Sequence, residues 1–63
     1  MRYDIIVYVE PINMDGHIID TADDLDTAQY YSGLIQDVLS TLGHHGYIAI
    51  ESRDGETMDE YSF

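Results

Sequence analysis

The sequence predicts an α+β fold, a two-layer β-β-α-β-β domain in which one helix packs on a face of a four-stranded antiparallel sheet. Residues 25–42 have the apolar period of a helix. Two shorter segments rich in β-branched and aromatic residues precede this helix, and two follow it. Residues 1–63 form a single domain with a small core and no cysteine to reinforce it.

The predicted helix carries apolar residues three and four positions apart, which is the pattern of a helix that buries one side. This stripe consists of Ala28, Tyr31, Ile35, Val38 and Leu42. We place Ile35 at its centre, facing Val7, Ile48 and Ile50. Every other element has to cover this stripe.

Both ends of the helix have recognisable signals. Thr21 and Asp23 are candidates to cap the first free N–H groups, near which acidic residues are favoured. Gly43 can adopt the left-handed conformation that ends a helix, and His44 and His45 follow near the carbonyl end.

The first hairpin begins with a predicted strand over residues 3–10, whose Ile5, Val7 and Val9 face the helix. Pro11 then ends regular pairing, and residues 13–16 (Asn-Met-Asp-Gly) are typical of a turn. The second strand covers residues 17–20. Its short length leaves open whether Ile18 or Ile19 points inward.

The second hairpin follows the helix. Residues 47–53 form the third strand, with Ile48 and Ile50 inward, and Asp54-Gly55 makes the turn. Residues 56–63 form an edge strand, in which either Met58 or Tyr61 supplies the core contact. The simplest strand order is 2-1-3-4.

The sheet face away from the helix is predicted to be open and to mix acids, tyrosines and a few apolar side chains. It carries Asp4, Ile6, Tyr8, Glu10, Tyr47, Ala49 and Glu51. Tyrosine is enriched at protein interfaces, so this face suits a partner or a homodimer. The equally weighted alternative is the half-solvated back of an antiparallel sheet.

Charge is the dominant feature of the composition: 13 acids against two arginines and no lysine give a formal net charge of −11. Such a chain repels DNA, RNA and anionic membranes, which excludes them as direct partners. No apolar segment is long enough to cross a membrane, and acids interrupt the apolar run at the N-terminus, so we expect a cytoplasmic protein without a signal peptide.

No catalytic constellation accompanies these acids, and we expect neither an enzyme nor a cofactor. His17, His44 and His45 lack a metal-ligand spacing. Placing Gly16 or Gly55 at position 6 of a calcium loop leaves unsuitable residues at positions 1 and 12. Only weak, nonspecific divalent-ion binding by the acids at the helix start remains open.

The charge itself is therefore the candidate functional feature. A folded chain of this size exposes about 370 Å² per net charge, against roughly 110 Å² per phosphate on DNA. The two densities match if the acids crowd onto about a third of the surface. The acids we assign to partner binding lie at the helix start, on the outer helix side and in the C-terminal hairpin: Asp23, Asp24, Asp26, Asp37, Glu51, Asp54, Glu56, Asp59 and Glu60.

In size, acidity, absence of lysine and cysteine, and compact α/β pattern, the chain resembles small phage-encoded inhibitors of bacterial defence, the anti-CRISPR and anti-restriction proteins. Several of these act as DNA mimics. The resemblance covers the whole chain but includes no shared motif. It implies an inhibitor that occupies the DNA- or PAM-binding site of a CRISPR surveillance complex, of type I by preference, or of a restriction nuclease.

Two alternatives remain. The chain can be an acidic interaction module for another basic protein, or a salt-adapted domain of unrelated function whose acids hold water. Mimicry requires the acids on one side of the molecule, whereas salt adaptation spreads them over all sides.

Overall fold

The computed structural model describes residues 2–10 and 13–63 of the chain. Its elements are β1 (Tyr3–Glu10), β2 (Asn13–Ala22), α1 (Leu25–Thr41), β3 (His45–Ser52) and β4 (Thr57–Ser62). The strands form one antiparallel sheet in the order β2-β1-β3-β4, and the helix contacts all four strands. The predicted fold class and strand order are confirmed.

The core lies between the helix and the two central strands. Ile5 pairs with Ile50, and Val7 pairs with Ile48. Directly opposed residues point to the same face of a sheet, so all four side chains lie beneath the helix. All four are buried, and the three isoleucines completely so. The predicted core faces of β1 and β3 are therefore confirmed.

Small residues form the centre of the buried side of the helix. Ala28 and Ser32 have no exposed surface, whereas Ile35 and Leu39 pack against the core but remain partly exposed. Ile35 thus lies beside the centre at which we placed it. The Ser32 hydroxyl donates a hydrogen bond to the Ala28 carbonyl at 2.8 Å, which satisfies this buried polar group within the helix.

The N-cap is Asp24, and not Thr21 or Asp23. One carboxylate oxygen of Asp24 accepts from the Thr27 N–H at 3.1 Å, and the other accepts from the Thr27 hydroxyl at 2.6 Å. Thr21 cannot cap the helix because β2 extends through Ala22. The helix therefore begins one position later than a cap at Asp23 requires.

The helix ends at Thr41, one residue earlier than predicted. Gly43 has φ +83°, and its N–H donates to the Ser40 carbonyl at 3.0 Å. The His44 N–H donates to the Leu39 carbonyl at 3.0 Å. These two bonds form a Schellman motif, which confirms Gly43 as the C-terminal signal. Within the described residues, no helix is long and apolar enough to cross a membrane.

Strand β2 is longer than the four predicted residues. It begins at Asn13, so the prediction of a turn over residues 13–16 is wrong. Gly16 does take a positive φ of 83°, but within the strand, where the pairing register with β1 shifts between Val7 and Val9. The left-handed glycine therefore accommodates an irregularity of the ladder instead of reversing the chain. The predicted role of Pro11 lies outside the described residues.

Neither Ile18 nor Ile19 is buried in the core, and both are exposed. Strand β2 contributes Ala22 instead, which pairs with Tyr3 and belongs to the core cluster. The edge strand thus adds one small apolar residue near its end.

The C-terminal hairpin follows the prediction closely. Gly55 in the Asp54-Gly55 turn has φ +84°, and its N–H donates to the Ser52 carbonyl. In β4, Tyr61 packs against the core whereas Met58 is exposed, which settles the predicted alternative in favour of Tyr61.

We predict that Ile48→Ala lowers the free energy of unfolding by roughly 2–5 kcal/mol, because it leaves a cavity among the buried isoleucines. A domain this small has about that much stability to lose. Urea denaturation followed by circular dichroism measures the change. The control is Ile18→Ala, which removes an isoleucine that is 58% exposed and should leave the midpoint near wild type. Equal midpoints for the two variants would contradict this placement of the core.

We also predict that two substitutions at Ser32 change the free energy of unfolding by different amounts. Ser32→Ala should change the free energy of unfolding by less than about 1 kcal/mol, because the lost hydrogen bond is local and alanine favours a helix. Ser32→Leu should cost about 1–3 kcal/mol, because Ser32 is completely buried between the helix and the sheet and a larger side chain would force the two layers apart. Thermal melting of both variants measures the difference. A Leu variant as stable as the Ala variant would show that the helix and the sheet pack less closely at Ser32.

Candidate binding surfaces

The nine acids assigned to partner binding lie on several surfaces of the molecule. Four lie at one end of the sheet, two on the outer side of the helix, two on the open face, and one on the helix side of β4. Seven of the nine are exposed, whereas Glu51 and Asp59 are half-buried, and the fold does not bring all nine together.

The end of the sheet near the start of β1 carries the first group. Strands β2 and β3 both pair antiparallel with β1, so both finish at this end. Asp23 and Asp24 follow β2, and Asp54 and Glu56 lie in the turn after β3. With β1 between them, the two strand ends are about 10 Å apart. Arg2 and Arg53 line one depression at this same end, which reduces its net negative charge.

The outer side of the helix carries Asp26 and Asp37, both exposed. They are eleven residues apart, close to three full turns, so they share a side at a separation of roughly 16 Å along the axis. This surface is acidic but sparse.

Asp59 has partners within the protein. Its Oδ2 atom accepts from the Gln29 amide at 3.3 Å and from the Tyr61 hydroxyl at 2.9 Å. Its Oδ1 atom accepts from the Glu60 N–H at 2.9 Å. Burial, together with this bond to Asp59, raises the pKa of Tyr61 above its ordinary value. Asp59 therefore links β4 to the helix and has little capacity left for a partner.

The open face is organised around a stacked pair of tyrosines. Tyr8 and Tyr47 are opposed on β1 and β3, and their ring centroids lie 4.5 Å apart with an interplanar angle of 17°. On the same face Asp4 opposes Glu51, and on β4 Glu60 opposes Ala49. Carboxylates thus share this face with the two aromatic rings.

Gly16 makes room for this tyrosine pair. A Cβ atom at Gly16 would lie 2.6 Å from the ring of Tyr8, so the ring occupies the space that a side chain would need. Burial raises the pKa of Tyr8, and the neighbouring Glu51, Tyr47 and Glu60 raise it further. Since the phenol stays neutral at physiological pH, the negative charge of this face comes from its carboxylates.

Asp4 and Glu51 are like charges placed directly opposite each other, an arrangement that costs stability in a sheet. Arg2 compensates only weakly. Its Nε atom lies 3.3 Å from Oδ1 of Asp4, but that oxygen has no partner in hydrogen-bond geometry among the described residues, and the Arg2 side chain is largely exposed. The fold therefore tolerates a charge repulsion on this face.

A cleft of about 390 Å³ opens at the far end of the same face. Its lining includes Glu10, His45, Tyr47 and Glu60. An aromatic ring between two carboxylates is an environment that suits an arginine or lysine side chain. Ala49, which we placed on this face, is 3% exposed, so the face is less open at its centre than predicted.

Two acids of this face were not among the nine assigned to binding. Asp4 and Glu10 alternate with the core residues of β1, and this alternation had already placed them on the open face. Weighting acids by face, and not by their density along the sequence, would have selected them. In residues 2–10 and 13–63, no group of three or more His, Asp or Glu residues is arranged to hold a metal ion.

No protein-family model, curated protein or solved structure matches this chain at a significant level. Its function therefore has to be inferred from its geometry and its charge.

We predict that Asp24→Asn lowers the melting temperature by several degrees at neutral pH, and that the difference from wild type vanishes in acid. Hydrogen bonds from the Thr27 hydroxyl and the Thr27 N–H lower the pKa of Asp24 below its ordinary value of 3.8. A lowered folded-state pKa stabilises the fold above the unfolded pKa, and this contribution is lost as the pH falls through the folded pKa. Melting curves from pH 7 to pH 2 measure the effect.

The control is Asp37→Asn, which removes the same charge from the helix at a position away from the N-cap. An equal loss at neutral pH in both variants would mean that the hydrogen bonds of Asp24 to Thr27 do not cause the difference.

Proposed function

We propose that this protein is a binding inhibitor that presents its open sheet face to the nucleic-acid-binding groove of a basic protein and competes there with DNA. The observation that carries the proposal is that Asp4, Glu10, Glu51 and Glu60 lie on one face of the sheet together with the stacked tyrosine pair. We call the surface formed by these four carboxylates the acidic face.

The acidic face has the length of a short piece of one DNA strand and a somewhat lower charge density. From Asp4 to Glu10, β1 extends roughly 20 Å. One strand of duplex DNA carries about six phosphates over that length. Four carboxylates reach about two thirds of this density. The match is with a single strand of the duplex, and a basic groove would contact the face from one side.

The tyrosine pair adds aromatic stacking, a contact that a phosphate group cannot make. Arginine guanidinium groups in a DNA-binding groove stack on aromatic rings and form paired hydrogen bonds with carboxylates. The cleft beside Tyr47 offers both, with Glu10 and Glu60 at its sides. A mimic of this kind would bind arginine side chains of the groove directly, in addition to the long-range electrostatic attraction.

The repulsion on the face supports a binding role. Opposed like charges at Asp4 and Glu51 weaken the sheet, and the Arg2 side chain that pairs with Asp4 is largely exposed. A basic partner would relieve this repulsion on binding. A homodimer through the same face would instead double it, since the carboxylates of both copies would meet.

The resemblance to anti-CRISPR and anti-restriction proteins supports the choice of target. We propose a CRISPR surveillance complex, of type I by preference, with its PAM-reading surface as the binding site, or a restriction nuclease. The protein would act without catalysis in the cytoplasm of the host cell.

A second candidate has its own observation. Asp26 and Asp37 lie on the outer helix side, and Asp23, Asp24, Asp54 and Glu56 at the end of the sheet, so acids occupy several sides. This distribution is the one expected of a salt-adapted surface. The experiment has to separate charge on one face from charge in general.

We predict that the protein displaces a target duplex from the CRISPR complex or restriction nuclease that binds it. The double variant Glu51→Lys/Glu60→Lys should no longer displace the duplex. The reason is that the substitutions reverse charge beside the cleft and the tyrosine pair. Gel-shift competition against purified CRISPR complexes and restriction nucleases measures the effect. Inhibition by the wild type should weaken steeply with salt.

The matched control is Asp26→Lys/Asp37→Lys, which makes the same change in net charge on the helix side and should retain most of the competition. Equal loss in both double variants would favour nonspecific attraction over a defined face. A wild-type protein that binds no DNA-handling complex would favour the salt-adapted domain. Binding without displacement of DNA would also refute mimicry.

A further inference from the structure

One flank of the helix exposes a continuous apolar stripe that the fold does not use. Its members are Tyr31, Leu34, Val38 and Leu42, spaced three and four residues apart. Leu34 is 48% exposed, Val38 57% and Leu42 66%. This flank stripe lies beside the row of Ala28 and Ser32 that meets the sheet. It is wider than the isolated apolar residues that ordinary protein surfaces carry.

The stripe is exposed because two of the described residues on the helix side of the neighbouring edge strand are polar. Asp20 is opposite Ile5, and His17 is opposite Val7, so both polar residues lie on the helix side of β2. Both are exposed. The result is a shallow groove of about 230 Å³, whose described lining residues are all apolar: Leu34, Ile35, Val38 and Leu39.

The flank stripe meets a negatively charged depression at the helix start. Tyr31, one turn before Leu34, also lines a hollow of about 340 Å³ together with Asp23 and Asp24. On the outer side, Asp37 directly precedes Val38. The arginines line a different depression. An apolar groove and an acidic hollow thus lie about one helical turn apart, with no described basic side chain in the lining of either.

We propose that the flank stripe is a docking site for a basic amphipathic helix of a partner protein. The occupant would place apolar residues three and four positions apart along the groove, and a lysine or arginine at Asp23 and Asp24. From Tyr31 to Leu42 the stripe extends roughly 16 Å, so about three turns of partner helix suffice. Charge complementarity selects this occupant, because a second copy of a chain with net charge −11 would bring like charges together.

The docking site does not depend on the proposed function, since the flank stripe and the acidic face lie on opposite sides of the sheet. Each of the two proposals can therefore be refuted separately. Peptide binding at the helix tests the docking site, and DNA competition tests the proposed function.

The test uses the full chain and three synthetic peptides of about 14 residues. One is a Leu/Lys peptide with leucines at helical spacing, the second is a scramble of the same composition, and the third replaces each lysine with glutamate. Calorimetry measures affinity, and amide chemical-shift changes locate the site. We expect the amphipathic basic peptide to bind at least about tenfold more tightly than the scramble, since apolar contacts add to charge attraction.

Shift changes should centre on residues 31–42 and 21–24. The variant Leu34→Gln/Val38→Gln, changed at two exposed positions, should lose this preference, and Ile18→Gln on the open face should keep it. Equal binding of the scramble, or shifts centred on the acidic face, would overturn the proposal. So would self-association in sedimentation that Leu34→Gln/Val38→Gln abolishes, because the occupant would then be a second copy. Binding of the glutamate peptide as tight as that of the lysine peptide would refute the charge argument.

Discussion

The close contact of the helix with the two central strands is the constraint on which the rest of the structure depends. Ile5, Ile48 and Ile50 are completely buried, and the helix meets them with the small residues Ala28 and Ser32. Small side chains at this contact let the two layers approach closely, so a chain without cysteine closes a core that is about two strands wide. Residues further from this contact have no second layer to cover them.

The same contact makes the two flanks of the helix different. On the β4 side, Gln29 donates to Asp59, and Gln36 donates to the carbonyl of Ser62 at 2.7 Å. These bonds hold the helix over the second hairpin. On the β2 side the edge strand presents polar residues, and the apolar part of the helix stripe remains exposed there. A single placement of the helix thus produces a polar, bonded flank and an apolar, open one.

Local patterns were sufficient to predict most of the fold. Alternation in β1 and β3 identified the buried isoleucines, and Gly43 marked the helix end to within one residue. The pattern failed where tertiary pairing decides the outcome. Gly16 lies within a strand because β2 pairs with β1 on both sides of it, at Asn13 and at His17. Periodicity alone also cannot show that Ser32 is buried while Val38 is exposed. The apolar pattern therefore assigned too many helix residues to the core, among them Val38 and Leu42.

The candidate surfaces were harder to predict than the fold, because charge along a sequence does not specify a face. Asp59 and Glu60 are neighbours, yet Asp59 bonds to the helix and Glu60 lies on the open face. Asp4 lies far from Glu51 in the sequence and directly opposite it in the sheet. Only the register of the strands turns scattered acids into the acidic face.

The small size of the molecule also determines how its two candidate surfaces influence each other. Its shortest dimension is 15 Å, and the acidic face and the flank stripe lie on opposite sides of the sheet. At physiological ionic strength, charges are screened beyond about 8 Å, so a basic partner on one side would hardly be sensed on the other. At about 0.01 M salt the screening length is roughly 30 Å, which exceeds this thickness. A basic partner bound on one side would then weaken the attraction for a basic partner on the other side, and the two surfaces would bind with negative cooperativity without any change of shape.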